Sequence, residues 1–156
     1  MRIQNGTCSL PQTHLYTYVC CLSYDRFGHS PFGIAIAPNG EYAYVPNYLD
    51  GTVAVIDTRT NTAVDTIDIG TNPVRMAITP DSRYAYETNY NASTVSVINI
   101  SSNKVVGSIS IAVGNPLGIA ITPDGRYAYV TTSLNGTNGA ASVIDIATNK
   151  VIDTIT

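Results

Sequence analysis

Asp57, Asn99 and Asp145 occupy one recurring position in the sequence, and each is followed four residues later by an asparagine: Asn61, Asn103 and Asn149. Three such oxygen-bearing side chains would suit ligands of a bound group. Their recurrence argues against it. An active site needs groups that occur once and converge, whereas Asp and Asn that recur once per unit close tight loops through side-chain-to-backbone bonds and a left-handed residue. The remaining chemistry-bearing residues stand apart. His14 and His29, with Cys8, Cys20 and Cys21, all precede residue 31. An odd number of cysteines at these spacings resembles no zinc site; they read as free thiols, with a redox pair at Cys20–Cys21 as the sharper alternative. No nucleophile elbow and no phosphate-cradling glycine loop occurs. The sequence therefore predicts no catalytic residue, no metal, no cofactor and no enzyme.

Composition points to strands and turns. Charged residues make up 12% of the 156 and the net charge is −3, with Lys and Arg scattered singly. That excludes the clustered basic footprint of a nucleic-acid binder. Eleven tyrosines among many Val, Ile and Thr favour β structure, and abundant Asn, Gly and Pro favour turns. No apolar run reaches the 18 or more residues of a membrane span, and "IQNGTCSLPQTH" is too polar for the apolar segment of a signal peptide.

One phrase is spelled three times: "PNGEYAYV" at Pro38–Val45, "PDSRYAYE" at Pro80–Glu87 and "PDGRYAYV" at Pro123–Val130. Pro31, Pro73 and Pro116 open three copies spaced 42 and 43 residues apart, a period of propellers or solenoids. Each copy breaks into four short apolar runs, which predict four antiparallel strands. The first run ("GIAIA", "RMAIT", "GIAIT") is apolar on both faces and is expected to be covered on both. Gly40 and Gly125 suit the turn that follows, and Ser82 in their place predicts mild strain. In the second run Tyr42 and Tyr44, Tyr84 and Tyr86, and Tyr127 and Tyr129 share a face, for packing on a neighbouring sheet. Glu87 stands where the other copies have Val45 and Val130, which predicts a strand end or an ion pair across a junction. The fourth run has a polar face (Thr66 and Asp68, Ser108 and Ser110, Thr154 and Thr156), as an outermost strand requires. The predicted fold is all-β: three four-stranded antiparallel blades, 31–72, 73–115 and 116–156, after a non-repeat segment 1–30 that acts as a cap or is a foreign leader.

The strings "YAYVPN", "YAYETN" and "YAYVTT", then "TVAVID" and "TVSVIN", then "NKVV" and "NKVI", and the opening "PLGIAITPDG" make residues 31–156 resemble the YVTN family of β-propeller repeats. The resemblance implies an archaeal or bacterial surface-layer or cell-surface protein, an extracellular location, commonly seven blades, and a repeat that is not an enzyme signature. Lactonases and quinoprotein dehydrogenases share related propeller folds and supply the alternative of a ligand-binding or catalytic propeller.

Three blades depart from that pattern. A face of four strands offers roughly 350 Å², enough to mark an interaction surface. The pattern stops at "DTIT" where earlier copies run on into "GTNP" and "VGNP". Self-association of blade faces into a six-bladed ring, or a longer reading frame, is expected. The loops joining second to third and fourth to first strands are expected at one end, carrying Asn47, Tyr48, Arg75, Asn89 and Tyr90 as candidate contacts for a glycan or protein. Sequons occur at Asn5, Asn91, Asn99 and Asn135; Asn91 and Asn135 fall in predicted exposed loops and are the candidate glycosylation sites.

Overall fold

The computed structural model describes residues 27–134 and 138–156. Asn5, Cys8, His14, Cys20, Cys21 and Asn135 lie outside these residues, as does the proposed cap or leader apart from residues 27–30. The described residues form twelve strands in three sheets of four, each antiparallel and each in chain order. Blade 1 holds β1 (Ala35–Ile36), β2 (Tyr42–Asn47), β3 (Thr52–Asp57) and β4 (Thr62–Asp68). Blade 2 holds β5 (Pro73–Ile78), β6 (Tyr84–Asn89), β7 (Thr94–Asn99) and β8 (Lys104–Ser110). Blade 3 holds β9 (Asn115–Ile121), β10 (Tyr127–Leu134), β11 (Asn138–Asp145) and β12 (Lys150–Ile155). Among these residues no helix is long and apolar enough to cross a membrane.

The turns form as their residues dictate. Gly40 and Gly125 take φ of 74° and 71°, and Ser82 holds the same left-handed backbone at 58°. Its strain is partly offset, because the Ser82 hydroxyl accepts the Asn39 N–H of blade 1 at 3.1 Å. Asp57 Oδ1 accepts the amides of Arg59 and Thr60. Asn99 Oδ1 accepts that of Ser102, and Asp145 Oδ1 those of Ala147 and Thr148. Asn61, Asn103 and Asn149 follow at φ of 55°, 50° and 53°. These six side chains are turn-makers.

Two equivalent cores hold the blades together. Between blades 1 and 2, Tyr44, Val53, Val55 and Ile67 meet Met76, Ala85 and Ile98. Between blades 2 and 3, Tyr86, Val95, Val97 and Ile109 meet Ala128, Val130 and Ile144. The back of each blade thus packs on the front of the next. First strands of neighbouring blades lie against one another while fourth strands barely meet, which is the radial arrangement of a propeller. The fourth strands carry a β-bulge at one recurring register, between Val55 and Ile56, Val97 and Ile98, and Val143 and Ile144 of their partners. A bulge blunts an outer edge against stray pairing.

Two packing expectations are corrected at the ends of the array. The first strand of blade 1 is not covered on both faces: β1 has two residues, and Ile34 and Ile36 are 65% and 61% exposed. The tyrosine pair of blade 3 does not pack as the others do. Tyr44 and Tyr86 are 0% and 1% exposed, but Tyr129 is 42%. The physical reason is shared, since each of these residues lies on a face that meets no further blade among the described residues.

Glu87 departs from both of its predicted roles. It sits in mid-strand on the face of β6 that carries Ala85, and is fully buried. Neither carboxyl oxygen has a hydrogen-bond partner. Burial pushes its pKa well above the usual carboxylate range; the nearby Val74 and Arg75 amides and the Arg75 charge pull the other way but do not prevail.

Candidate functional site

The end of the blades that carries the second-to-third-strand turns gathers aromatic and amide groups. Tyr48 and Tyr90 each follow the last residue of a second strand and are half-buried. Tyr48 is held from three sides. Its amide donates to Ser30 O at 3.0 Å, its carbonyl accepts Asn72 Nδ2 at 3.1 Å, and its ring lies 5.4 Å from that of Phe32 at 47°. Asn72 links the two blades here. Its carbonyl accepts the Tyr90 amide at 3.0 Å, and its Oδ1 accepts Asn91 Nδ2 at 2.7 Å. Asn91 is exposed in the turn, as its candidate role as a glycan acceptor requires. Beside Tyr48, Asp50 accepts the His29 amide and pairs with its Nδ1 at 2.8 Å. The bond from the His29 amide, then that from its ring, holds the Asp50 carboxyl below its usual range.

Three of the five candidate contact residues sit elsewhere than in loops. Asn47 and Asn89 are the last residues of β2 and β6 and are 1% and 3% exposed. Asn47 Nδ2 donates to Thr52 Oγ1 at 3.3 Å. Asn89 Nδ2 donates to Thr94 Oγ1 and Ser96 Oγ at 3.1 and 2.8 Å. They fix the turns beneath Tyr48 and Tyr90 and cannot themselves reach a partner. Arg75 lies on β5, exposed, with its guanidinium beside Gly33 of blade 1. Propeller geometry puts a first strand near the axis, so Arg75 is an inner-strand cation and not a loop residue. Tyr48, Tyr90 and Asn91 remain at the surface of this end.

The opposite end holds clefts that the sequence did not single out. One of about 410 Å³ opens between blades 2 and 3, with Asp81, Asp124, Tyr86 and Asn149 in its walls. A second of about 380 Å³ occupies the equivalent place between blades 1 and 2. The two carboxylates are committed to their turns. Asp81 accepts Thr79 Oγ1 at 2.6 Å and the Arg83 amide at 3.0 Å; Asp124 accepts Thr122 Oγ1 at 2.5 Å and the Arg126 amide at 3.0 Å. The threonine bonds, above all, lower both pKa values. Tyr86 donates to Asn149 Oδ1 at 2.7 Å. Burial pushes the Tyr86 phenol up to about 12. These clefts are seams that recur with the blades. No signal in the sequence marked them, because their walls come from turns of neighbouring copies.

No family model matches the sequence, and no curated protein matches it. Solved structures do. The hydrazine synthase of Kuenenia stuttgartiensis is similar at 29% identity and a TM-score of 0.77, over 90% of this chain and 39% of that one. The WD40 repeats of RRP9 are similar at 13% identity and a TM-score of 0.68, over 78% and 37% of the two chains. The dihydro-heme d1 dehydrogenase NirN, solved in complex with DHE, is similar at 19% identity and a TM-score of 0.64, over 73% and 25%. The chain thus spans well under half the length of each. The second and third likenesses show the fold alone: this is a set of β-propeller blades.

These likenesses correct one expectation. The recurrence of polar groups predicted a non-enzymatic chain, yet the likeness with the highest identity here is to an enzyme, and a second neighbour is also an enzyme by name. Turn-making Asp and Asn are blade chemistry, shared by propellers that catalyse and propellers that do not. Their recurrence therefore does not exclude catalysis.

Proposed function

We propose that the chain is a YVTN-type propeller module of a cell-surface, surface-layer-like assembly, which acts by presenting the Tyr48–Tyr90 end of its blades to a glycan or protein. The observation that carries this reading is the pair of half-buried tyrosines at one end, set among the amides of Asn72 and Asn91. Aromatic faces with adjacent amides suit a sugar, which offers C–H groups to a ring and hydroxyls to an amide. The recurring strings "YVPN", "YETN" and "YVTT" support the family, and the family supports the location.

Binding of the purified chain to immobilised polysaccharides and glycoproteins tests the site. Replacing Tyr48 and Tyr90 together by Ala is expected to weaken binding at least tenfold with an unchanged far-ultraviolet circular dichroism spectrum. Binding that survives the double substitution discards this end of the molecule.

The hydrazine synthase likeness supports a second reading. In it the blades belong to a catalytic propeller assembly, and the same end lies against the reacting centre. Turnover in a dehydrogenase or hydrolase screen that the double substitution abolishes would select this reading over the first.

A further inference from the structure

The joint between blades 1 and 2 and the joint between blades 2 and 3 are built from equivalent residues, but their polar groups differ. In the second joint those groups are matched. The Tyr86 hydroxyl donates to Asn149 Oδ1 at 2.7 Å, and the Thr88 hydroxyl lies 3.2 Å from the Leu117 carbonyl of β9. Val130 completes the apolar core there. In the first joint the counterparts are unmatched. Pro46 stands in the place of Thr88 and has no hydroxyl. The Tyr44 hydroxyl and Asn103 Oδ1, counterparts of the Tyr86–Asn149 pair, are buried without partners. Glu87 stands in the place of Val130. Both of its oxygens, and Oδ1 of Asn89 on the same strand face, are buried without partners. The polar links that do cross this joint lie at its rims. The Asn39 amide donates to the Ser82 hydroxyl at 3.1 Å, Asn103 Nδ2 to Asp65 Oδ2 at 2.9 Å, and Asn72 Nδ2 to the Tyr48 carbonyl at 3.1 Å.

We propose that the joint between blades 1 and 2 is a proton-controlled seam, shut while Glu87 is neutral and opening before the joint between blades 2 and 3 once Glu87 is charged. A neutral carboxyl is tolerated in an apolar joint, whereas a carboxylate must be paired or hydrated. Its neighbours do not pair it. Met76 on β5 and Ser96 on β7 stand opposite Glu87, and neither titrates. Arg75 is the charge that favours ionisation, but its guanidinium is exposed beside Gly33 and burial prevails over it. Blade 1 brings the Tyr42 and Tyr44 rings and the carboxyl groups of Glu41, Asp57 and Asp65. Burial, then Tyr42 and Asp65, pushes the Tyr44 phenol up to about 12, and the acids share the sign of an ionised Glu87. Arg83 lies out in the rim cleft. Water therefore relieves the charge, and water enters when the blades part. The closed joint holds the Glu87 proton more tightly than an open one, in which the carboxyl titrates near the ordinary 4.5. Closure is thus strongest below that pH. Between it and the raised value, each pH unit multiplies the open fraction about tenfold. Tyr48 and Tyr90 flank this seam on blades 1 and 2, so its opening parts the end that presents them. The inference stands on the joint and not on what that end binds.

Met76 supplies the probe, because it is buried in the first joint directly across the strands from Glu87. Its oxidation by hydrogen peroxide, followed on the full chain by peptide mass spectrometry, reads how often that joint admits solvent. Ile119→Met places a second thioether at the equivalent position of the second joint, so both joints are read in one sample. From pH 4.5 upward the Met76 rate is expected to climb by up to about tenfold per pH unit. The rate at position 119 is expected to stay level. Glu87→Val and Glu87→Gln, made in the same background, are each expected to hold the Met76 rate level. The Gln side chain keeps the shape and polarity of Glu87 and removes only its ionisation, so it separates charge from packing. A level Met76 rate in the parent chain overturns the inference. So does a climb that survives Glu87→Gln, which would put the cause elsewhere. Rates that climb together at both positions also overturn it, since they mean that the chain unfolds as a whole.

Discussion

Single side chains in this molecule report whether a blade position is inside a joint and whether its polar atoms are matched there. Glu87 is inside and unmatched. Its folded pKa lies well above the ordinary 4.5, so the folded chain holds the proton more tightly than the unfolded one. Below pH 4.5 both states are protonated and the carboxyl costs little. As the pH rises past that value the unfolded chain ionises first, and stability falls until the folded group ionises too. Glu87→Val, which supplies the residue found at Val45 and Val130, is expected to flatten that decline and to raise stability near neutral pH by about 1–3 kcal/mol. Urea titrations across the acid-to-neutral range measure both effects, and a variant less stable than wild type at neutral pH contradicts them. The tyrosines give a paired contrast. The Tyr86 hydroxyl has Asn149 as partner, while the buried Tyr44 hydroxyl has none. Tyr86→Phe is expected to cost about 1 kcal/mol in the same titrations and Tyr44→Phe about nothing. Asn149→Ala, which orphans the buried Tyr86 hydroxyl and forces alanine into a left-handed turn, is expected to cost about 2 kcal/mol or more.

At the scale of strands and turns, backbone freedom is required at different strengths in different places. Gly51 takes φ of 68°, its carbonyl accepts the amides of Ile69 and Gly70, and a Cβ there would run into the Gly70 carbonyl. Gly40 takes φ of 74°, but a Cβ there meets open space. Gly40→Ala is therefore expected to cost about 1 kcal/mol, from the left-handed backbone alone. Gly51→Ala carries a similar term plus a backbone clash, and is expected to cost several times more. Thermal unfolding of the two variants checks the order, and equal losses would refute it. The register of turn residues made this level legible in the sequence: Pro38-Asn39-Gly40 and its two copies, and the Asp57–Asn61 pair and its two copies, placed strands and turns correctly. Packing of Tyr44 and Tyr86 on a neighbouring sheet was legible too, but other features that depend on a neighbouring blade were not. The apolar pattern of Ile34 and Ile36 is that of a doubly covered strand, and the sequence carries no mark of where an array of blades stops. Asn47 and Asn89 have the sequence pattern of loop residues because strand ends and turns look alike in one dimension. Glu87 could be noticed as an exception to Val45 and Val130, but its burial without an ion partner is a property of the packed sheets. The seams between turns of adjacent copies had no local signature at all.

The described blades form a short linear array in which each contacts only its neighbours, and such arrays lose structure from their ends. Among the described residues, blade 2 alone has a blade on each face, through the core that Tyr44 and Met76 share and the core that Tyr86 and Ile144 share. Ile34 and Ile36 on the front of blade 1, and Tyr129 and Ile155 on the back of blade 3, are exposed. Local opening is easiest where few apolar contacts are broken, so amide exchange should be slowest in β6 and β7, from Ala85 to Asn89 and from Val95 to Ile98. It should be faster in β1 and β12, whose ladders lie against one neighbour or none. Measured at high dilution, hydrogen exchange with peptide-level mass spectrometry is expected to show this gradient, with blade 2 the most protected. Equal protection of the three blades at the lowest concentration would mean that the array does not unfold from its ends, and the nearest-neighbour account of its stability would have to be replaced.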